Sequence, residues 1–145
     1  MILPVNNSII TSPYGWRVLN GQKQFHTGID FVSGNGDNSV HAILNGRVVY
    51  DFDAYEEATR WTDQKMSGGN YVILSHVIND LLYYFRYIHL GENFVAGGQI
   101  IQEGEIIGMY KDVGMSFGSH LHCDAYDSQW KPVDISELFK QANLL

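Results

Sequence analysis

A single cysteine, Cys123, stands in 145 residues. One thiol cannot close a disulfide within the chain, and it excludes a zinc site built on several cysteines. A lone cysteine in an apolar strand is expected as a small buried hydrophobe. Basic residues are also few: 9 Lys and Arg stand against 16 Asp and Glu, for a formal charge of −7. Affinity for nucleic acid rests on Lys and Arg neutralising phosphates, so no nucleic-acid partner is expected. The basic residues are scattered, with no run suited to an anionic membrane surface. No apolar run approaches the roughly 18 residues of a membrane span, and no basic segment followed by a long apolar run marks a signal peptide. What the chain has in quantity is apolar and aromatic side chains, 45% and 13% of its residues. That composition suits a globular domain with a real core. No linker, low-complexity segment or repeat divides it, so one domain over residues 1–145 is expected.

Read in order, the chain is a succession of short strands and tight turns. Residues 9–11 read as a strand, followed by the turn Ser12-Pro13-Tyr14-Gly15 and the tight-turn signal Asn20-Gly21. Residues 40–50 read as strand, with Asn45-Gly46 as a hairpin turn inside them. Residues 71–76 and 81–90 are rich in β-branched and aromatic side chains and are expected to pair through Asn79-Asp80. Residues 94–110 alternate glycine with apolar pairs, as short strands and turns do. Residues 52–66 differ, because Phe52, Tyr55, Thr59, Thr62 and Met66 follow helical spacing. Residues 51–69 therefore read as a helix or flap inserted in a sheet. Asp134 begins a terminal helix, with Glu137 spaced for a capping box and Ile135, Leu138, Phe139 and Ala142 on one apolar face.

The chemistry concentrates in Gly118-Ser119-His120-Leu121-His122-Cys123-Asp124. On a strand, His120 and His122 share one face and Leu121 takes the other. Asp124 falls on the histidine face, a candidate partner for His120 or His122. Upstream, His26 and Asp30 stand four apart. Thr27-Gly28-Ile29 makes poor helix, and an ideal strand would hold the pair about 13 Å apart. The chain must bend between them, and Gly28 is the residue that permits it. His89, in Tyr87-Ile88-His89-Leu90, is a third candidate. Imidazoles and a carboxylate together suit zinc. Tyr87, His76 and His41 read as structural. Gly114-Met115-Ser116-Phe117-Gly118 matches a nucleophile elbow, which needs a following helix and a later catalytic histidine. Here a strand follows almost at once and no histidine comes after His122, so a serine hydrolase is rejected.

Taken together, these motifs resemble the M23, or LytM and lysostaphin-like, zinc endopeptidases of peptidoglycan. The resemblance covers most of the chain. Ile10-Thr11-Ser12-Pro13-Tyr14-Gly15-Trp16-Arg17 is similar to the family's opening, and Phe25-His26-Thr27-Gly28-Ile29-Asp30 to its His-x-x-x-Asp motif. Asn45-Gly46-Arg47-Val48-Val49 resembles the next strand pair, Tyr87-Ile88-His89-Leu90 the Tyr-x-His-Leu element, and Gly118-Ser119-His120-Leu121-His122 the closing motif. Gly97-Gly98-Gln99-Ile100 and Gly104-Glu105-Ile106-Ile107-Gly108 resemble its hairpin repeat. Cys123-Asp124 departs from the family's usual Phe-Glu, Phe117 from a usual Thr, and residues 51–69 from a usual shorter connection.

The resemblance implies a mostly antiparallel β-sheet fold with a groove above it. It implies one zinc ion per chain held by His26, Asp30 and His122, with His89 and His120 as catalytic histidines that do not bind metal. Two histidines and an aspartate leave a fourth position for water, the pattern of a catalytic zinc. The implied substrate is peptidoglycan, at its stem-peptide links or its interpeptide bridges, in the cell wall or periplasm. An acidic chain adheres poorly to an anionic wall, so a wall-targeting partner or larger parent assembly is expected. A phage-delivered component or an excised domain would explain the missing export signal. The alternative is a non-catalytic module of the same fold that binds peptidoglycan or activates another hydrolase. Such relatives lack one or more ligands, whereas all five positions are filled here.

Overall fold

The computed structural model describes residues 1–53, 69–112 and 118–145. Phe52, where the helix expected over residues 52–66 would begin, is strand instead; the rest of that helix from residue 54, most of the expected insertion, Phe117 and Ser116 of the rejected elbow lie outside the described residues.

Among the described residues the chain forms strands β1 (Ser8–Ser12), β2 (Gly15–Leu19), β3 (Gln22–His26), β4 (Gly28–Ser33), β5 (Ser39–His41) and β6 (Gly46–Phe52). There follow β7 (Asn70–Ile78), β8 (Leu81–Asn93), β9 (Ile100–Ile101), β10 (Ile106–Tyr110), β11 (Leu121–Asp127), β12 (Pro132–Val133) and helix α1 (Ile135–Gln141). The main sheet runs β1-β4-β11-β8-β7-β6-β9, and β2 and β3 form a hairpin of their own. Every pairing is antiparallel. The fold is mostly antiparallel β with a C-terminal helix, as expected.

Period-two alternation makes the core. Val72 and Leu74 of β7, Phe85 and Tyr87 of β8, and Cys123 and Ala125 of β11 are all buried on one face. They join Ile29 and Phe31 of β4, and Phe139 of α1 packs edge-on against Phe31 at 6.2 Å. Helix α1 starts at Asp134, whose carboxylate accepts from the Ser136 N–H at 2.8 Å. The expected capping box gives way to a different pair, because the Glu137 carboxylate accepts from Lys140 at 2.7 Å.

Strands β7 and β8 pair through Asn79 and Asp80, with φ of 51° and 63°. Two successive positive φ values match the right-handed twist of a hairpin. The other expected hairpin, at Asn45-Gly46, does not form: β5 joins β10, while β6 joins β7 and β9. Gly46 answers to a distant contact rather than a local turn. A Cβ there would overlap the Ser75 carbonyl and lie 2.7 Å from the His76 ring.

His76 is one link of a buried chain of hydrogen bonds. The Ile43 N–H donates to the Tyr87 hydroxyl at 3.1 Å, and that hydroxyl stands 3.4 Å from His76 Nε2. His76 Nδ1 donates to the Asn45 carbonyl at 3.0 Å, and His41 Nδ1 meets the Gly104 carbonyl at 2.9 Å. Tyr87 and both histidines are thus structural, as expected. Burial holds the His76 imidazole below its ordinary pKa, against the opposing pull of the Asn45 carbonyl. The unfolded chain, with a pKa of about 6.5, takes up a proton first. Stability is therefore full above that value and falls as pH drops through it. With a chelator present, His76→Gln should lose less stability than wild type between pH 7 and 5, as read from urea midpoints.

Candidate active site

Strand β11 lies between β4 and β8, and its register sets His122 directly opposite Asp30. His26 ends β3, and Thr27 breaks the strand before β4. The expected bend between His26 and Asp30 is present, but Gly28 serves it differently from expectation. Its φ is not positive. Its contribution is space, because a Cβ would stand 2.5 Å from the Cys123 carbonyl oxygen and 2.7 Å from His122 Nε2.

Three donor atoms converge there. His122 Nδ1 is 2.9 Å from Asp30 Oδ1, His26 Nε2 is 3.0 Å from His122 Nδ1, and His26 Nε2 is 3.2 Å from Asp30 Oδ1. Donors around a tetrahedral zinc, at bonds of about 2.0–2.1 Å, stand roughly 3.3 Å apart. The outer ring nitrogens are engaged elsewhere. His26 Nδ1 meets the Pro13 carbonyl at 2.8 Å, and His122 Nε2 faces Asp124 Oδ2 at 3.4 Å. Each contact fixes the tautomer that turns a lone pair into the cluster. The donor set fits a metal ion.

Burial works against charge on Asp30, but hydrogen bonds with His122 and His26 outweigh it and hold the carboxyl far below the usual carboxylate range. Burial also opposes a proton on His122. Hydrogen bonds to Asp124 and Asp30 overcome it and push the imidazole up to about 9. A metal ion binding here must displace that proton.

His120 immediately precedes β11. Its Nδ1 meets the Gly118 carbonyl at 2.9 Å, and its Nε2 stands 3.7 Å from Asp30 Oδ1. His120 and His122 do share a face, with Leu121 buried on the other. The His89 ring lies 4.7 Å from that of His120. His89 arrives by a route that alternation does not foresee. Tyr87 and Leu90 are core residues, yet Ile88 and His89 both line the groove. The register passes from Asn70↔Leu90 to Tyr71↔Ile88, leaving His89 as the extra residue of a β-bulge, with φ of 65°. The bulge turns the imidazole from the core side to the groove.

Asp124 is fully buried, and it partners His122 rather than His120. Arg86, directly opposite on β8, grips it with two hydrogen bonds, Nε to Oδ1 at 2.8 Å and Nη2 to Oδ2 at 2.5 Å. Sequence reasoning missed Arg86. The available signal was alternation, which sets Arg86 on the same face as Ile88. Asp124→Asn should weaken metal binding or activity about 10- to 100-fold, since such partners orient a metal-binding ring. Arg86→Met leaves a buried carboxylate short of its cation and should cost about 3 kcal/mol. Chelator competition and urea unfolding measure the two effects. Cys123 is buried beside this pair, and burial pushes its thiol well above the ordinary pKa, as befits an inert core residue.

The arrangement can therefore hold a divalent cation and offers two further imidazoles beside it. Comparison with known proteins agrees. The sequence model of Peptidase family M23 matches residues 24–135. The DD-carboxypeptidase/endopeptidase Mpg of Neisseria meningitidis serogroup B is 30% identical over 128 residues, 86% of this chain and 26% of that protein. An uncharacterized metalloprotease of Haemophilus influenzae is 32% identical over 104 residues, 72% of this chain and 19% of that protein. The chain thus spans about a fifth to a quarter of the length of these relatives. The catalytic domain of lysostaphin, an antimicrobial peptidase from Staphylococcus simulans, superposes with a TM-score of 0.71 at 27% identity, covering 92% of this chain and 93% of that one. A zinc-containing peptidase from Vibrio cholerae gives a TM-score of 0.66 at 26% identity, covering 91% and 37%.

Proposed function

The chain belongs to peptidase family M23, and from that premise we propose that it is a zinc-dependent endopeptidase hydrolysing peptide bonds of bacterial peptidoglycan. The observation that carries the proposal is the convergence of His26, Asp30 and His122, whose donor atoms all lie within 4.8 Å of one another. His26, Asp30 and His122 would hold the ion, and three protein donors suit a catalytic rather than a structural zinc. Bound there, zinc lowers the pKa of a bound water and polarises the scissile carbonyl. His120 and His89 do the proton work. Between them they take the proton of the attacking water, support charge on the carbonyl oxygen and deliver a proton to the leaving amine. The peptide lies in the groove that also receives Thr11, Arg17, Gln24, Val32 and Ile88.

The site of action is the cell wall or periplasm. A wall-targeting partner or a larger parent protein brings the acidic domain to an anionic wall. No helix among the described residues is long and apolar enough to cross a membrane. Elemental analysis and peptidoglycan hydrolysis on one preparation test the proposal. About one zinc per chain is expected, with release of new amino termini from purified peptidoglycan. Protein that cannot be loaded with zinc removes the metal-site reading. Protein that carries zinc and leaves peptidoglycan intact is the non-catalytic module instead.

A further inference from the structure

We infer that Arg17 of β2 is a positioning residue that keeps Asp30 a one-oxygen donor. The inference rests on the metal-site reading above and extends it to a residue outside the five. The two oxygens of Asp30 divide their partners. Oδ1 faces His122 Nδ1 at 2.9 Å, His26 Nε2 at 3.2 Å and His120 Nε2 at 3.7 Å. Oδ2 faces Arg17 Nη1 at 3.4 Å.

The guanidinium is itself aimed. Nη1 also donates to Ser12 Oγ at 2.9 Å, and Nε and Nη2 fork onto Gln24 Oε1 at 3.2 and 3.1 Å. Arg17 and Gln24 are directly opposite in the β2–β3 hairpin, so the fork is a cross-strand pair. The same hairpin ends at His26, opposite Gly15. One hairpin thus delivers both a donor ring and the cation that occupies the outer oxygen of the next donor.

A carboxylate has lone pairs on both oxygens and can bind a metal with one or with both. A charge-assisted hydrogen bond to Oδ2 must be given up if that oxygen swings onto the ion. Arg17 therefore biases Asp30 toward Oδ1 alone. An Asp30 bound through both oxygens would crowd the position that a catalytic site keeps for water.

Cobalt(II) substitution reads this directly, since four-coordinate cobalt absorbs visible light several-fold more strongly than five-coordinate cobalt. Wild type, Arg17→Met, Arg17→Lys and Gln24→Leu are loaded with cobalt. Their spectra, cobalt affinities and kinetics on peptidoglycan are compared. Arg17→Met should bind cobalt at least as tightly as wild type, show the weaker spectrum, and lose about 10- to 100-fold in kcat with little change in KM. Arg17→Lys, which keeps one N–H for Oδ2, should recover part of both signals. Gln24→Leu leaves Arg17 in place but removes its fork, and should shift both in the same direction by less. A wild-type protein that takes up no cobalt overturns the metal-site reading, and this inference with it. Cobalt-loaded wild type and Arg17→Met with the same spectrum overturn the role of Arg17 alone. So does an Arg17→Met that folds yet binds no cobalt, because Arg17 is then scaffold rather than a selector of binding mode.

Discussion

His122→Ala is expected to yield a folded protein that retains no zinc and cleaves peptidoglycan about 1,000-fold more slowly or worse. Folding should survive because the ring lies on the groove face, while β11 is held by its register with β4 and β8. Asp124 keeps both hydrogen bonds from Arg86, so no buried charge is stranded. The metal should go because His122 Nδ1 meets both other donors, at 2.9 and 3.0 Å. Losing several kcal/mol of Lewis-acid stabilisation corresponds to a rate factor of roughly 10³. His26→Ala and Asp30→Ala should behave alike. His120→Ala is the contrasting case: it should keep the metal and lose about 10²- to 10⁴-fold in turnover, the range for a general acid or base. Zinc content and hydrolysis, measured on the same samples, separate the groups. A His120 variant without zinc, beside a His122 variant that keeps it, would reverse the assignment.

At His89 the expected result is an inversion of the usual order of glycine and alanine in a strand. Glycine in a strand interior ordinarily costs about 0.5–1 kcal/mol relative to alanine. His89 is a non-glycine residue at φ of 65°, where a Cβ costs about 1–2 kcal/mol. The backbone there is fixed by the bulge and by the Lys111 N–H, which donates to the His89 carbonyl at 3.0 Å. His89→Gly should therefore be more stable than His89→Ala by about 1 kcal/mol in urea unfolding. Both should lose about 10²- to 10⁴-fold in turnover while holding zinc. An alanine variant as stable as the glycine variant would mean that the bulge stores no strain. The outcome expected here places strain at a bulge that re-aims a side chain into the groove.

What could be read from residues alone follows the range of each interaction. Alternation placed His120 and His122 on one face, and Asn79-Asp80 announced the β7–β8 hairpin, because both are properties of a few neighbouring residues. Asn45-Gly46 carries the same kind of local signal and misleads. Gly46 is required by Ser75 and His76 on another strand, and no dipeptide encodes that. Gly28 was legible as special, but for the wrong reason: it makes room for the His122 ring rather than supplying an unusual φ. Asp124 was legible as a partner of His120 or His122, but its own partner Arg86 lies 38 positions earlier, across from it on β8. The bulge at His89 depends on the register of β7 against β8, and a single strand's pattern cannot show it. The division between metal-binding and catalytic histidines came from family resemblance. Residue types alone offered four histidines and aspartates without ranking them.

Strand β11, set between β4 and β8 although it is made after both, has a consequence for synthesis on the ribosome. The chain emerges from its N-terminus at about 5–20 residues per second. Until residue 121 has emerged, β4 and β8 have no strand between them, and each presents an unpaired edge of the kind that recruits other chains. His26 and Asp30 are already present, but His122 and Asp124 are not. A nascent or C-terminally clipped chain is therefore a split sheet in which His26 and Asp30 lack His122. Strand β11 closes the sheet and brings the three donors together in one event.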